Sequence, residues 1–132
     1  MFIVSSCLIG NNCKYNGGNN YNEDVVEFCR NHEVILVCPE TSGGLKSPRM
    51  PAEQQYKKAS DGNLGIRVID KEGNDLTENF HKGAVVSLEQ AFKKADELSE
   101  EIEGAILKAN SPSCGSDNIY DGTFTGTLIS GD

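Results

Sequence analysis

The stretch Phe2-Ile3-Val4-Ser5-Ser6-Cys7 places a cysteine directly after an apolar run that is typical of a β-strand. The same arrangement occurs twice more, with Cys38 after Val34-Ile35-Leu36-Val37 and Cys114 a short Ser/Pro turn after the run 105–109. In an open parallel α/β sheet, ligands bind outside the carboxyl ends of the strands. If the three strands are parallel neighbours, we expect the three sulfurs to converge at one place.

Two amphipathic helices are predicted between these strands. The first begins after Asn22 as N-cap, with Glu23 and Asp24 in its first turn. The second begins at the capping-box pattern Asp75-x-x-Glu78. Its apolar residues then recur every three or four positions: Phe80, Ala84, Val85, Leu88, Ala91, Phe92, Ala95 and Leu98.

The alternation of strands and helices predicts the fold class. We expect an α/β fold, with residues 1–132 forming a single domain. Its sheet is expected to be mostly parallel and Rossmann-like, flanked by helices, with the cysteines at the C-terminal ends of strands. The segment 39–65 has no regular period, and we expect one short helix near Pro51–Lys58. Residues 65–70 predict a further strand, and 119–129 predict β-structure with glycine turns.

Composition and charge narrow the classes of function. No apolar run is long enough to cross a bilayer, and the N-terminus lacks the basic region of a signal peptide, so a cytoplasmic location is expected. Five cysteines in such a chain are expected to be reduced, which favours metal or catalytic roles over disulfides. The net charge of −8 argues against folded nucleic acid as a partner, because such binding depends on basic residues. The sequence predicts no oligomeric state.

The cysteines themselves suggest a metal site, although a purely structural role also explains their positions. Thiolates bind soft or borderline metals and are the standard ligands of iron–sulfur clusters. Structural zinc prefers four ligands, whereas the three cysteines at strand ends leave one position open, as a catalytic metal requires. Cysteines at such positions are also explained as small buried hydrophobes. Cys13 is either a fourth ligand or a bystander, and Cys29, on the first helix, is expected in the core.

Polar residues near these cysteines are candidates for catalysis. Glu40 follows Cys38 by two positions and is placed either to act as a general acid/base or to cap the next turn. Ser111 and Ser113 come just before the third cysteine, where hydroxyls can bond to a sulfur ligand or a substrate atom. Both histidines, His32 and His81, are assigned to structure.

Several motifs together resemble one family. They occur in this order: Ser6-Cys7-Leu8-Ile9-Gly10, Tyr15-Asn16-Gly17-Gly18, Val37-Cys38-Pro39-Glu40, Pro48-Arg49-x-Pro51-Ala52-Glu53, Ser111-Pro112-Ser113-Cys114-Gly115 and Ile119-Tyr120-Asp121-Gly122-Thr123-Phe124. The chain resembles the thiouracil desulfidase (TudS-like) family, also catalogued as domain of unknown function 523. Members of that family continue beyond the end of the match through a last helix and strand, which this chain is expected to lack.

The resemblance implies a [4Fe–4S] cluster held by Cys7, Cys38 and Cys114, with the fourth iron open. It implies removal of sulfur from a small thiolated nucleobase or nucleoside, such as 2- or 4-thiouracil, with water replacing the sulfur. Glu40 and Ser111 or Ser113 are then the candidates for water activation and proton transfer. The alternative is a non-catalytic iron–sulfur or zinc-binding module for metal sensing or sulfur delivery. Cys13 as a fourth ligand would favour that alternative, because a closed site cannot bind substrate.

Overall fold

A three-stranded parallel sheet carries the segments that bear the cysteines. The computed structural model describes residues 1–58, 62 and 64–131. Its elements, in order, are β1 (Phe2–Ser5), α1 (Glu23–Asn31), β2 (Val34–Val37), α2 (Pro39–Ser42), β3 (Ala52–Lys58), β4 (Leu64–Asp70), α3 (Thr77–Glu97), β5 (Gly104–Ile106), β6 (Asn118–Tyr120) and β7 (Leu128–Ser130). A 3₁₀ turn, Ser6–Ile9, follows β1 directly.

The central sheet has the order β2-β1-β5, and both pairings are parallel. Phe2 is in register with Val34 on one side and with Gly104 on the other, so the three strands end at the same edge. Val4, in the middle strand, is fully buried. The predicted α/β fold with a parallel sheet is confirmed, although β5 ends at Ile106 rather than at position 109.

Helix α1 begins where the sequence predicts. The side chain of Asn22 accepts a hydrogen bond from the Val25 amide at 3.1 Å, which satisfies one of the free amides of the first turn. At the other end the ring of His32 stacks on Phe28, with centroids 3.9 Å apart, in keeping with a structural role. Cys29 is half-buried rather than in the core, and no other residue of α1 is fully buried either.

Helix α3 is present as predicted, but its start and its buried face differ. It begins at Thr77 with Leu76 as N-cap, and Asp75 accepts from the Thr77 amide at 2.9 Å instead of forming a box with Glu78. The buried face consists of one large residue and four small ones: Phe80, Gly83, Ser87, Ala91 and Ala95. Leu88 and Phe92 are exposed.

Two glycines explain why small residues form that face. A Cβ atom on Gly83 would overlap the carbonyl oxygen of Pro39, and one on Gly43 would overlap that of Asn79. Backbone therefore packs directly on backbone where α2 meets α3. This close contact fixes the position of α2, and with it the position of Glu40.

The short helix predicted near Pro51–Lys58 is wrong. These residues form β3, which pairs antiparallel with β4 from Ala52↔Asp70 to Lys58↔Leu64. Glutamine, glutamate and lysine favour helices when exposed, but pairing with the predicted strand at 65–70 outweighs that preference. The short helix instead covers Pro39–Ser42, where proline at the first position suits a helix start.

The C-terminal part forms the expected β-structure. Strands β6 and β7 pair antiparallel, with Ile119 opposite Ile129. Ile119 is almost completely buried and anchors the hairpin. Within the described part of the chain, none of the helices has the length and apolar character needed to cross a bilayer.

Candidate functional site

A cavity of about 500 Å³ opens at the carboxyl ends of β1, β2 and β5. The structure brings Cys7, Cys38 and Cys114 together in its lining, as expected from their positions after three parallel strands. Cys13 lines the same cavity, whereas Cys29 does not. The long polar loop after β1 therefore contributes a fourth thiol.

The 3₁₀ turn after β1 positions Cys7. Its carbonyl oxygen accepts hydrogen bonds from the amides of Gly10, at 3.2 Å, and Asn20, at 2.9 Å. The side-chain amide of Asn20 also donates to the Cys7 sulfur at 3.4 Å. Gly10 closes the turn with a φ of 101°, a left-handed conformation that glycine adopts without strain. The loop thus folds back over the buried thiol that it follows.

Cys38 lies at the start of α2 and next to Cys13. Its thiol points at the carbonyl oxygen of Cys13 at 3.9 Å. Burial, followed by the proximity of Cys38 and Cys7, raises the pKa of the Cys13 thiol to about 12, against an opposing effect of Arg49. In the metal-free chain Cys13 is therefore protonated near neutral pH. The sequence left Cys13 as ligand or bystander, and the structure places it within the cluster of thiols.

The third cysteine, Cys114, lies among hydroxyl groups. Burial raises the pKa of its thiol, and a hydrogen bond from Ser5 acts in the opposite direction. Ser113 Oγ lies 3.8 Å from the sulfur. Ser5 also accepts from the Lys108 amide at 3.0 Å, which joins the ends of β1 and β5.

The three predicted catalytic residues form one chain of hydrogen bonds. Ser113 Oγ donates to Glu40 Oε2 at 2.9 Å and lies 3.1 Å from Ser111 Oγ. Ser113 has a single proton, and the carboxylate is both nearer and a stronger acceptor than the sulfur of Cys114. The sequence named these residues separately, and the structure links them across 73 positions of the chain.

Sequence reasoning assigned no role to Arg49, which completes this arrangement. Its Nε donates to Glu40 Oε1 at 3.2 Å, and another guanidinium nitrogen donates to the carbonyl oxygen of Cys13 at 2.9 Å. Its backbone amide donates to the carbonyl oxygen of Tyr15 at 2.6 Å. Arg49 therefore connects Glu40 to the loop that bears the fourth thiol. The motif Pro48-Arg49-x-Pro51 was the available signal, since it places one cation in a proline-restricted loop.

Three aromatic residues also line the cavity. They are Tyr15, Tyr120 and Phe124. The last of them follows a tight turn whose amides bond to Glu53, a buried carboxylate on β3. The cavity thus combines thiols and a carboxylate with three aromatic residues, of which Tyr15 and Tyr120 are exposed.

Known proteins are similar to this chain in sequence and in structure. The sequence profile of the 2-thiouracil desulfurase family matches residues 2–132. The uncharacterized protein YbbK of Bacillus subtilis (strain 168) is 39% identical over 132 residues, which is 99% of this chain and 83% of that protein. A solved structure of a [4Fe-4S]-dependent thiouracil desulfidase, TudS, is similar with a TM-score of 0.75 and 33% identity. That similarity covers 99% of this chain and 78% of the TudS chain.

Proposed function

This chain belongs to the 2-thiouracil desulfurase family, as its motifs led us to expect, and from that premise we propose that it is an iron–sulfur-dependent desulfidase. The proposed cofactor is a [4Fe–4S] cluster held by Cys7, Cys38 and Cys114. The proposed substrate is a small thiolated nucleobase or nucleoside, such as 2- or 4-thiouracil. The observation that carries the proposal is the convergence of three strand-end cysteines and a hydrogen-bonded Glu40–Ser113 pair on one cavity.

The donor set fits a cluster better than a single ion. A lone zinc ion needs all of its thiolate ligands about 2.3 Å from one point. In the described ranges, no three histidine, cysteine, aspartate or glutamate side chains are grouped closely enough to hold one metal ion. Each cysteine ligand of a cluster binds a different iron, so the sulfurs can lie around the wall of a cavity. Three thiols from three strands fit that requirement.

A cluster held by Cys7, Cys38 and Cys114 would supply a Lewis-acidic iron with affinity for the sulfur of the substrate. Around it, the chain has to hold the base and activate a water molecule. The reaction replaces sulfur by oxygen: a carbon–oxygen bond forms, the carbon–sulfur bond breaks, and uracil and hydrogen sulfide result. No oxidant or reductant is needed.

Glu40 is the proposed general base. Arg49 bonds to Oε1 and Ser113 to Oε2, so the direction of the carboxylate is fixed. It can accept one proton from water as the new bond to carbon forms. The adjacent hydroxyls of Ser113 and Ser111 provide a path along which that proton can move towards the departing sulfur.

Anaerobic reconstitution with iron and sulfide, followed by turnover of 4-thiouracil, tests the proposal. We expect close to four irons per chain, release of sulfide and formation of uracil. Glu40→Gln is expected to keep its iron and to lose roughly 10²–10⁴-fold in turnover, the usual contribution of a general base. Unchanged turnover of this variant would assign the base to another residue, and a loaded protein without turnover would reject the desulfidase function.

One observation favours the non-catalytic alternative, namely the position of Cys13 beside Cys38 in the same cavity. A fourth thiolate ligand would close the cluster to substrate and leave a module for metal sensing or sulfur delivery. Iron analysis of Cys13→Ala distinguishes the two functions. Full iron content together with full turnover supports the open site, whereas loss of iron supports the closed one.

A further inference from the structure

Phe124 has an unusual backbone conformation for an aromatic residue. Its φ is 58°, in the left-handed region that bulky side chains rarely adopt. Such residues occur where the surrounding structure enforces them, often at functional sites. Phe124 is half-buried and lines the cavity that holds the cysteines. Contacts with the surrounding structure must therefore hold Phe124 in this conformation.

A buried carboxylate supplies most of that restraint. Glu53 is only 8% exposed, and its Oε1 accepts hydrogen bonds from the amides of Gly122, at 3.0 Å, and Phe124, at 3.2 Å. The Gln55 side chain donates to the carbonyl oxygen of Gly122 at 2.7 Å. Gly122 has a φ of 88°, and a Cβ atom there would overlap Gln55, so only glycine allows the turn to lie against β3. The backbone before Phe124 is therefore fixed to the edge of the cavity.

We propose that Phe124 is the stacking surface for the pyrimidine ring of the substrate, and that Glu53 is the positioning residue that holds it there. This inference rests on the proposed function, because it assumes a planar base in the cavity. Of the three aromatic side chains lining the cavity in the described part of the chain, Tyr15 and Tyr120 are exposed, and Phe124 is the one that is half-buried. Bases bind to aromatic rings through their π-faces, independently of hydrogen-bonding edges.

The absence of tryptophan from the sequence allows a direct binding measurement. Phe124→Trp introduces a single tryptophan into the cavity of the cluster-loaded protein. We expect uracil, which does not absorb at tryptophan emission wavelengths, to quench that emission saturably. Phe92→Trp is the matched control, since Phe92 is 61% exposed on α3 and does not line the cavity, and its emission should not respond.

Kinetics provide the second readout. Phe124→Leu is expected to raise the KM for 4-thiouracil by roughly 5- to 100-fold, the range that base stacking supports, with a much smaller change in kcat. Glu53→Ala should have the same effect with unchanged iron content. Glu53→Gln should restore most of the affinity, because its amide oxygen can still accept from both backbone amides.

The outcomes separate this inference from the proposed function. An unchanged KM in Phe124→Leu, or no response to uracil in a Phe124→Trp protein that still releases sulfide, overturns the stacking role and leaves the desulfidase function intact. Saturable quenching by uracil in Phe124→Trp, together with a cluster-loaded wild-type protein that releases no sulfide, supports the stacking role and overturns the proposed reaction.

Discussion

The guanidinium group of Arg49 and the carboxylate of Glu40 form an ion pair at 3.2 Å, with only 10% and 14% of the two side chains exposed. Removing such charges from water is costly unless further hydrogen bonds satisfy both groups. Here Ser113 bonds to the second carboxylate oxygen, and two carbonyl oxygens accept from the guanidinium. Both members of the pair thus have further hydrogen bonds, and the pair links the proposed base to the loop that carries Cys13.

Arg49→Lys should reduce catalysis while preserving the cofactor. Lysine keeps the positive charge, but a single ammonium group cannot reproduce the planar fork that bonds to Glu40 and to two carbonyl oxygens. We expect turnover of 4-thiouracil to fall roughly 10- to 100-fold, as is common when a residue that orients the chemistry is lost. Iron content and kcat are the quantities to measure. Arg30→Lys, on the exposed surface of α1, is the control; equal kcat values for both variants would contradict a role in positioning Glu40.

The two serines are expected to differ in importance. Ser113→Ala removes the hydrogen bond to Glu40 Oε2, so the carboxylate loses one of its two fixed partners. Ser111→Ala leaves that bond in place and removes the outer hydroxyl of the chain, which also accepts from the Ser113 amide at 3.2 Å. We expect the larger fall in kcat for Ser113→Ala, by about tenfold relative to Ser111→Ala, which one hydrogen bond to a charged group explains. Steady-state sulfide release measures both, and the reverse order would place the proton path elsewhere.

Single alanine substitutions of the cysteines test the ligand assignment. Cys7→Ala, Cys38→Ala and Cys114→Ala should each lose bound iron, because each removes a proposed ligand. Cys29→Ala is the matched control, since this half-buried thiol lies outside the cavity and should retain full iron content. Iron and sulfide analysis after anaerobic reconstitution gives the result. A complete cluster in any of the first three variants overturns the assignment.

Gly83→Ala should destabilise the protein and disturb the site at a distance. The added methyl group would overlap the carbonyl oxygen of Pro39, so α3 must move away from α2. Overpacking of this kind costs about 1–3 kcal/mol in the free energy of unfolding. Urea unfolding measures that loss, with Gly65→Ala on β4 as a control whose Cβ meets only an ordinary contact at 3.8 Å. Equal stability of the two variants would contradict a tight α2–α3 contact.

Stability should depend on pH through Asp70. Burial opposes ionisation of this carboxyl group, but hydrogen bonds from Asn74 and Glu72 prevail and lower its pKa below the usual value. A lowered folded-state pKa stabilises the fold above the unfolded-state pKa, and that contribution disappears as pH falls through the folded-state value. Asp70→Asn should therefore lower the urea midpoint at pH 7 and have a smaller effect near pH 3. A difference from wild type that grows at acidic pH would contradict this assignment.

The sequence was sufficient for features that depend on local pattern. The apolar runs before Cys7 and Cys38 fixed the strands, and parallel topology then brought the strand ends together. The segment 52–58 could not be assigned in this way, because its residues favour a helix and only pairing with β4 makes it a strand. The buried face of α3 could not be predicted for a similar reason. It lies at Gly83, because only a residue without a side chain allows the close contact with α2.

The meeting of the three cysteines in one cavity was predictable from the sequence, whereas the hydrogen bonds around them were less so. Cys38 and Glu40 are near neighbours in sequence, so their proximity required no tertiary information. The link from Glu40 to Ser113, and the return of Cys13 to Cys38, depend on how two long loops cross the sheet edge. The contacts of Arg49 are equally hard to predict, because two of its partners, Glu40 and Cys13, lie on other segments of the chain.

The three strand-end cysteines stand at positions 7, 38 and 114, so they divide most of the chain into two large loops. A group bound to all three sulfurs fastens the ends of both loops, and closing long loops restricts the unfolded chain more than the folded one. Since such a group binds the folded chain in preference to the unfolded chain, its binding raises the free energy of unfolding. If that group is the proposed iron–sulfur cluster, the melting temperature of a preparation would report how much of the protein carries it, and starvation for iron would shorten the lifetime of the protein as well as abolish the proposed activity.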